Sequence, residues 1–142
     1  VKKKLILIWL LLTMLIPVNA EQISDYEAQN LIKDSLSDQG LLDITTKIID
    51  QSLGVRALLI IYRSSATSIY GIGEDIGLIL TSFLAITYDG WDCDELSVVV
   101  EDQFGNSVGS WFCTKEWKEA HLQNRMSKED LIANVISTFV PS

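Results

Sequence analysis

Four acidic side chains crowd one short stretch, Asp89, Asp92, Asp94 and Glu95, and carboxylate oxygens are what hard cations such as calcium bind. The spacing Asp-x-x-Asp-x-Asp is not that of an EF-hand loop, so the cluster reads as a solvated acidic loop or a cation site of another kind. It follows the helix predicted over 69–88, whose C-terminal dipole disfavours negative charge. A metal-dependent hydrolase built on these acids is the alternative to a binding role. The other nucleophile-bearing residues are few. Cys93 and Cys113 are the two cysteines and His121 is the one histidine. The frames Gly-x-Ser-x-Gly, His-Glu-x-x-His and Cys-x-x-Cys do not occur, and no catalytic residue is assigned. A metal site or reactive thiol using His121 is the lesser reading of the cysteines.

An even pair of cysteines in an exported chain reads first as a disulfide. Leu96, Val98 and Val100 alternate along one predicted strand, and Val108, Ser110 and Phe112 along the next. Between them Asp102-Gln103-Phe104-Gly105-Asn106 fits a type I turn with Gly105 in the left-handed position. If Asp102 opposes Asn106, Cys113 opposes Glu95 and Cys93 opposes Lys115. The cysteines are then diagonal neighbours on one face, close to bridging geometry. In the same register Trp111 lies on the face opposite Leu96, Val98 and Phe112. With helices on that inner face, Trp111 and Val99 look outward, and Trp91 and Trp117 gather near the same end. An exposed tryptophan beside a rigid bridge is a candidate anchor for a partner; the plainer reading packs these rings into the core.

The run Gly71-Ile-Gly73-Glu-Asp-Ile-Gly77 resembles a dinucleotide-binding turn only superficially. Its third glycine is one position late, and Glu74 and Asp75 stand where pyrophosphate needs positive potential. No cofactor is expected.

The elements that position these residues follow from periodicity. Ser24 with Glu27 forms a capping box, and Ala28, Leu31, Ile32 and Leu36 share a stripe, which predicts a helix over 25–37. Leu42, Ile44, Thr46 and Ile48 alternate as a half-buried strand. Val55 to Tyr62 is apolar on both faces, as a central strand is. Ser64 to Ser68 is a polar connector. Ile69 to Tyr88 is the most apolar helix, with a second stripe of small residues (Gly73, Gly77, Thr81, Ala85) suited to close packing on a sheet. Lys115 to Leu122 reads as a short helical turn. Ser127 with Asp130 caps a last helix that carries Leu131, Ile132, Val135, Ile136 and Phe139 inward and stops at Pro141. The order α-β-β-α-β-β-α predicts an α+β domain in two layers, with a four-stranded, mainly antiparallel sheet and helices on one face.

Residues 1–20 are of another kind. Lys2, Lys3 and Lys4 precede an apolar run from Leu5 to Ile16, then Pro17, Val18, Asn19 and Ala20, the pattern of a secretory signal peptide cleaved after Ala20. As a helix, Leu5 to Val18 would span about 21 Å against a hydrocarbon core of about 30 Å, short for a membrane anchor. Membrane association is therefore expected only if the segment is retained. The chain carries 11 basic and 19 acidic residues. Removing three lysines with the leader leaves 8 against 19, a net charge of −11 on the single domain of residues 21–142. Such a surface repels nucleic acid and anionic lipid and keeps a domain soluble outside the cell.

Gly90-Trp91, Leu96-Ser-Val98-Val-Val100, Asp102-Gln-Phe-Gly105-Asn, Trp111 and Trp117, then Ser127-Lys-Glu-Asp-Leu131, Val135 and Thr138, resemble a C-terminal pattern of exported archaeal proteins and lipoproteins of unknown function. The resemblance covers about residues 70–140 and implies an envelope or extracellular location. The chain departs from the lipoproteins in having no lipobox cysteine. Together these features lead to the expectation of a secreted or envelope-exposed, non-catalytic domain that binds a protein or small-molecule partner. A structural envelope component is the third reading.

Overall fold

The computed structural model describes residues 22–65 and 69–142. The expected leader, residues 1–20, and the end of the 64–68 connector lie outside the described residues. Helix α1 spans Asp25–Asp38, β1 Leu42–Asp50, β2 Arg56–Arg63 and α2 Ile69–Tyr88. Then come β3 at Glu95–Glu101, β4 at Ser107–Cys113, α3 at Lys115–Leu122, α4 at Lys128–Ser137 and β5 at Val140–Pro141. The protein is an α+β domain.

The helix starts follow their caps. Ser24 Oγ accepts the Glu27 N–H at 3.1 Å, Thr114 Oγ1 that of Trp117 at 3.2 Å and Ser127 Oγ that of Asp130 at 3.1 Å, each satisfying a donor that the first turn leaves unpaired. The β3–β4 turn closes as its residues require: Gly105 has φ +83°, a conformation costly for a residue with a Cβ. Asp102 Oδ1 accepts the Phe104 and Asn106 N–H groups.

The sheet differs from the expectation. It has five strands in the order β1-β2-β3-β4-β5, and β2 and β3 are parallel. Helix α2 is the reason. Its 20 residues rise about 30 Å and return the chain to the end of the sheet where β2 began. The antiparallel pairings flank this parallel centre. α3 and β5 extend the expected order, and β5 pairs with Gly109 and Ser110 of β4.

One face of the sheet is the core face. Leu58, Ile60, Tyr62, Leu96, Val98, Val100, Trp111 and Cys113 are buried there, in one cluster with Ala28, Ile32 and Leu36 of α1, Ile76, Ile79 and Phe83 of α2, and Leu131 and Val135 of α4. By length and composition α2 could cross a membrane, but its large apolar stripe lies in this core. The small-residue stripe does not pack on the sheet as expected. Thr81 and Ala85 are exposed, and a Cβ on Gly73 or Gly77 would meet nothing within 4 Å. A Cβ on Gly109, by contrast, would lie 2.5 Å from the Phe139 ring and 2.9 Å from the Val140 carbonyl. Gly77→Ala is therefore expected to stabilise the domain by about 0.5–1 kcal/mol. Gly109→Ala should cost about 1–3 kcal/mol by displacing Phe139 and β5. Urea midpoints moving in opposite directions would confirm the pair, and a common direction would contradict it.

Candidate functional site

The outward face of the sheet is built in rows set by strand pairing. Lys47, Leu59, Ser97 and Phe112 form one row, and Thr45, Ile61, Val99, Ser110 and Val140 the next. Leu59, Ile61 and Val99 are half-buried, whereas Phe112 is 44% exposed. The Phe112 ring lies parallel to that of Trp117 on α3, with centroids 6.2 Å apart and planes within 1°. A shallow recess of about 240 Å³ adjoins it, lined by Glu95, Leu96, Ser97, Phe112, Cys113 and Thr114. Such an exposed apolar patch with an aromatic at its edge is the usual composition of a protein-contact surface.

The sheet edges are blunted. Along β4, β5 pairs with Gly109 and Ser110, and the Phe112 N–H donates to Thr138 Oγ1 at 2.9 Å. On β1 the pairing is irregular between Leu42 and Thr45, and Asp43 adopts φ +49°. Both devices discourage strand addition and leave the face as the accessible surface.

Trp111 is not on this face. It is 1% exposed, on the core side opposite Val98. The hairpin begins as expected, with Glu101 opposite Ser107, but Val100 then pairs with Gly109. The extra residue on β4 is a bulge, and one residue of slip exchanges the faces of a strand. Cys113 consequently opposes Leu96 rather than Glu95. Phe112 takes the outward place expected of Trp111, beside Val99 and Trp117. Ser110 carried the missed signal: placing this polar residue outward with Ser97 puts Trp111 inside. Trp91 is also buried; its Nε1 donates to Asp25 Oδ1 at 3.0 Å, and its ring meets Phe83 edge-on.

Cys93 and Cys113 are separate thiols in the structure, both buried. Cys93 precedes β3 instead of lying in the hairpin ladder. Burial pushes both thiols up to about 12, so they are protonated at neutral pH and weak as nucleophiles or ligands. The Lys118 ammonium opposes this shift for both, and it donates to the Cys93 carbonyl at 2.7 Å.

The acidic residues are not gathered as a metal site. Asp94 Oδ2 accepts the Arg56 N–H at 2.9 Å, Glu95 Oε2 the Lys115 N–H at 3.4 Å, and Asp89 and Asp92 are exposed. His121 Nδ1 lies 3.0 Å from the Met126 carbonyl, whereas the cysteine Sγ atoms donate to the carbonyls of Arg56, Glu95 and Thr114. Among the described residues no group of three His, Cys, Asp or Glu side chains could hold a metal.

The chain belongs to the DUF8159 family, a domain of unknown function whose pattern matches residues 35–142. That span runs from the last turn of α1 through β5 and takes in the whole sheet. No curated protein and no solved structure matches the chain.

Proposed function

We propose that this member of the DUF8159 family is an exported, non-catalytic binding domain whose contact surface is the open sheet face around Phe112. The observation that carries the reading is the exposed Phe112 ring, stacked on Trp117 and continuous with Leu59, Ile61 and Val99. Its occupant is a protein segment presenting an apolar or aromatic side chain flanked by lysine or arginine. Glu95 and Glu101 at the two ends of β3 share this face with Lys47 and Arg63, and it is the chain's net charge of −8 that favours a basic flank over an acidic one. Export rests on the leader pattern of residues 1–20 and on the resemblance to exported archaeal proteins.

Selection from a displayed random-peptide library tests the binding role. The expected result is enrichment of sequences with an aromatic or aliphatic residue beside Lys or Arg. Failure to enrich any sequence, or enrichment of acidic ones, would overturn it. Export is read from the intact mass of protein purified from its native host. The mass should start at Glu21. Retention of residues 1–20 would contradict it.

A further inference from the structure

We infer a second site, at the carboxyl ends of β2 and β3, that takes a free α-amino acid through its carboxylate and its ammonium group. Because these strands are parallel, the chain leaves both at the same end of the sheet, where diverging loops open a crevice. The crevice holds a cavity of about 380 Å³, floored by Arg63, Ser64 and Ser65 and walled by Leu42 and Asp43 on one side and Asp102 and Gln103 on the other. That volume is in the range of small-molecule sites. It lies one row beyond Ile61 and Val99, where Arg63 stands opposite Glu101, and its assignment rests on its own residues and not on the function proposed above.

Arg63 is the group that selects a carboxylate. Its Nη1 pairs with Asp43 Oδ2 at 3.0 Å, and Nη2 faces the hairpin, 3.4 Å from where a Cβ on Gly105 would be. The side chain is thus placed between β1 and the hairpin, yet stays 40% exposed. Its Nε is buried without a hydrogen-bond partner among the described residues and closed to a ligand, so the donors within reach of the crevice are those of the exposed Nη end. A planar fork with donors to spare suits a carboxylate.

The acids select the other end of the ligand. Asp102 Oδ1 accepts two backbone N–H groups, from Asn106 at 3.0 Å and Phe104 at 2.9 Å, which holds its carboxyl below the usual carboxylate range. It is ionised at neutral pH and fixed in direction. With Asp43, the lining carries two negative charges against one positive. That balance repels phosphate and other multiply charged anions. A neutral sugar would cover these charges without countering them, which is unfavourable. A zwitterion answers both signs, its carboxylate toward Arg63 and its ammonium toward Asp102. The exposed Leu42 offers an apolar wall to its side chain.

Thermal unfolding and calorimetric titration of the full chain test this, with leucine, glutamate and lysine as probes beside trehalose, inorganic phosphate and putrescine. At about ten times its Kd, leucine should raise Tm by about 5 °C. N-acetyl-leucine, without the ammonium, and leucinamide, without the carboxylate, should each bind at least about tenfold more weakly, a loss of one charged contact. Arg63→Lys should weaken leucine about tenfold or more, because a point charge replaces the fork. Ser65→Trp, at an exposed position on the cavity floor, should block binding without touching the charges. Three outcomes would overturn the assignment: no response to any amino acid, equal binding of the two blocked leucines, or a response confined to trehalose, phosphate or putrescine.

Discussion

Trp111→Ala is expected to destabilise the domain by about 3–5 kcal/mol, the cost of emptying a large, closed core site. Trp111 is among the largest fully buried side chains and lies opposite Val98 in the middle of the core face. Nothing in that environment collapses cheaply, because the neighbours are sheet residues fixed by their ladder and helix residues fixed by theirs. The loss is a large part of the roughly 5–15 kcal/mol that holds an ordinary domain together. One term runs the other way: the indole Nε1 is buried with no hydrogen-bond partner among the described residues, an orphaned donor that truncation removes. Trp111→Phe, which loses the donor but keeps an aromatic ring, should therefore cost only about 1–2 kcal/mol. Phe112→Ala, one residue along and outward, should stay within about 1 kcal/mol of wild type. Equal urea midpoints for Trp111→Ala and Phe112→Ala would contradict the observed register.

Arg56→Ala should cost about 1–3 kcal/mol and should also change how the domain responds to acid. Arg56 opens β2 and joins three other segments. Its Nη2 pairs with Asp25 at the start of α1, its Nε with Asp50 at the end of β1, and its Nη1 donates to the Asp92 carbonyl at 2.7 Å. The Asp50 contact is largely solvent-exposed and adds little. The Asp25 contact matters more, since the same carboxylate accepts the Trp91 Nε1–H and so ties α1 to the loop before β3. Arg56 first, and Trp91 after it, hold the Asp25 carboxyl below its ordinary value of 3.8. The sign follows. A carboxylate lowered in the folded state adds stability above its unfolded pKa, and that stability is lost as pH falls through the folded value. Wild-type stability should therefore fall as pH drops below about 4. The fall should be shallower in Arg56→Ala, whose Asp25 has lost its main partner. Parallel pH profiles for the two proteins would sink this account.

Much of the fold was legible because it is local. Ser24 and Ser127 sit at helix starts as their side-chain chemistry requires, and the turn at Gly105 needs its left-handed residue. Ile69–Tyr88 announces itself by its apolar steps. What was not legible depends on partners distant in sequence. Two apolar-faced strands joined by a long helix are compatible with either relative direction, and only the path of α2 makes β2 and β3 parallel. β5 consists of two residues, one of them the proline that reads as a helix stop. The candidate site turns on a single extra residue between Ser107 and Gly109. Trp111 and Phe112 are both apolar enough for a core, so their types alone did not decide which would face outward. Arg63 gave no motif at all, since its place with Asp43 and Asp102 exists only once the start of β1, the end of β2 and the turn after β3 converge.

The measurement that tests the central claim most directly is the affinity of the leading selected peptide for wild type, Phe112→Ala and Trp111→Phe under native conditions. The predicted result is at least a tenfold loss in Phe112→Ala, about 1.4 kcal/mol, with wild-type affinity kept in Trp111→Phe. Undiminished binding to Phe112→Ala would show that the open sheet face is not the contact surface.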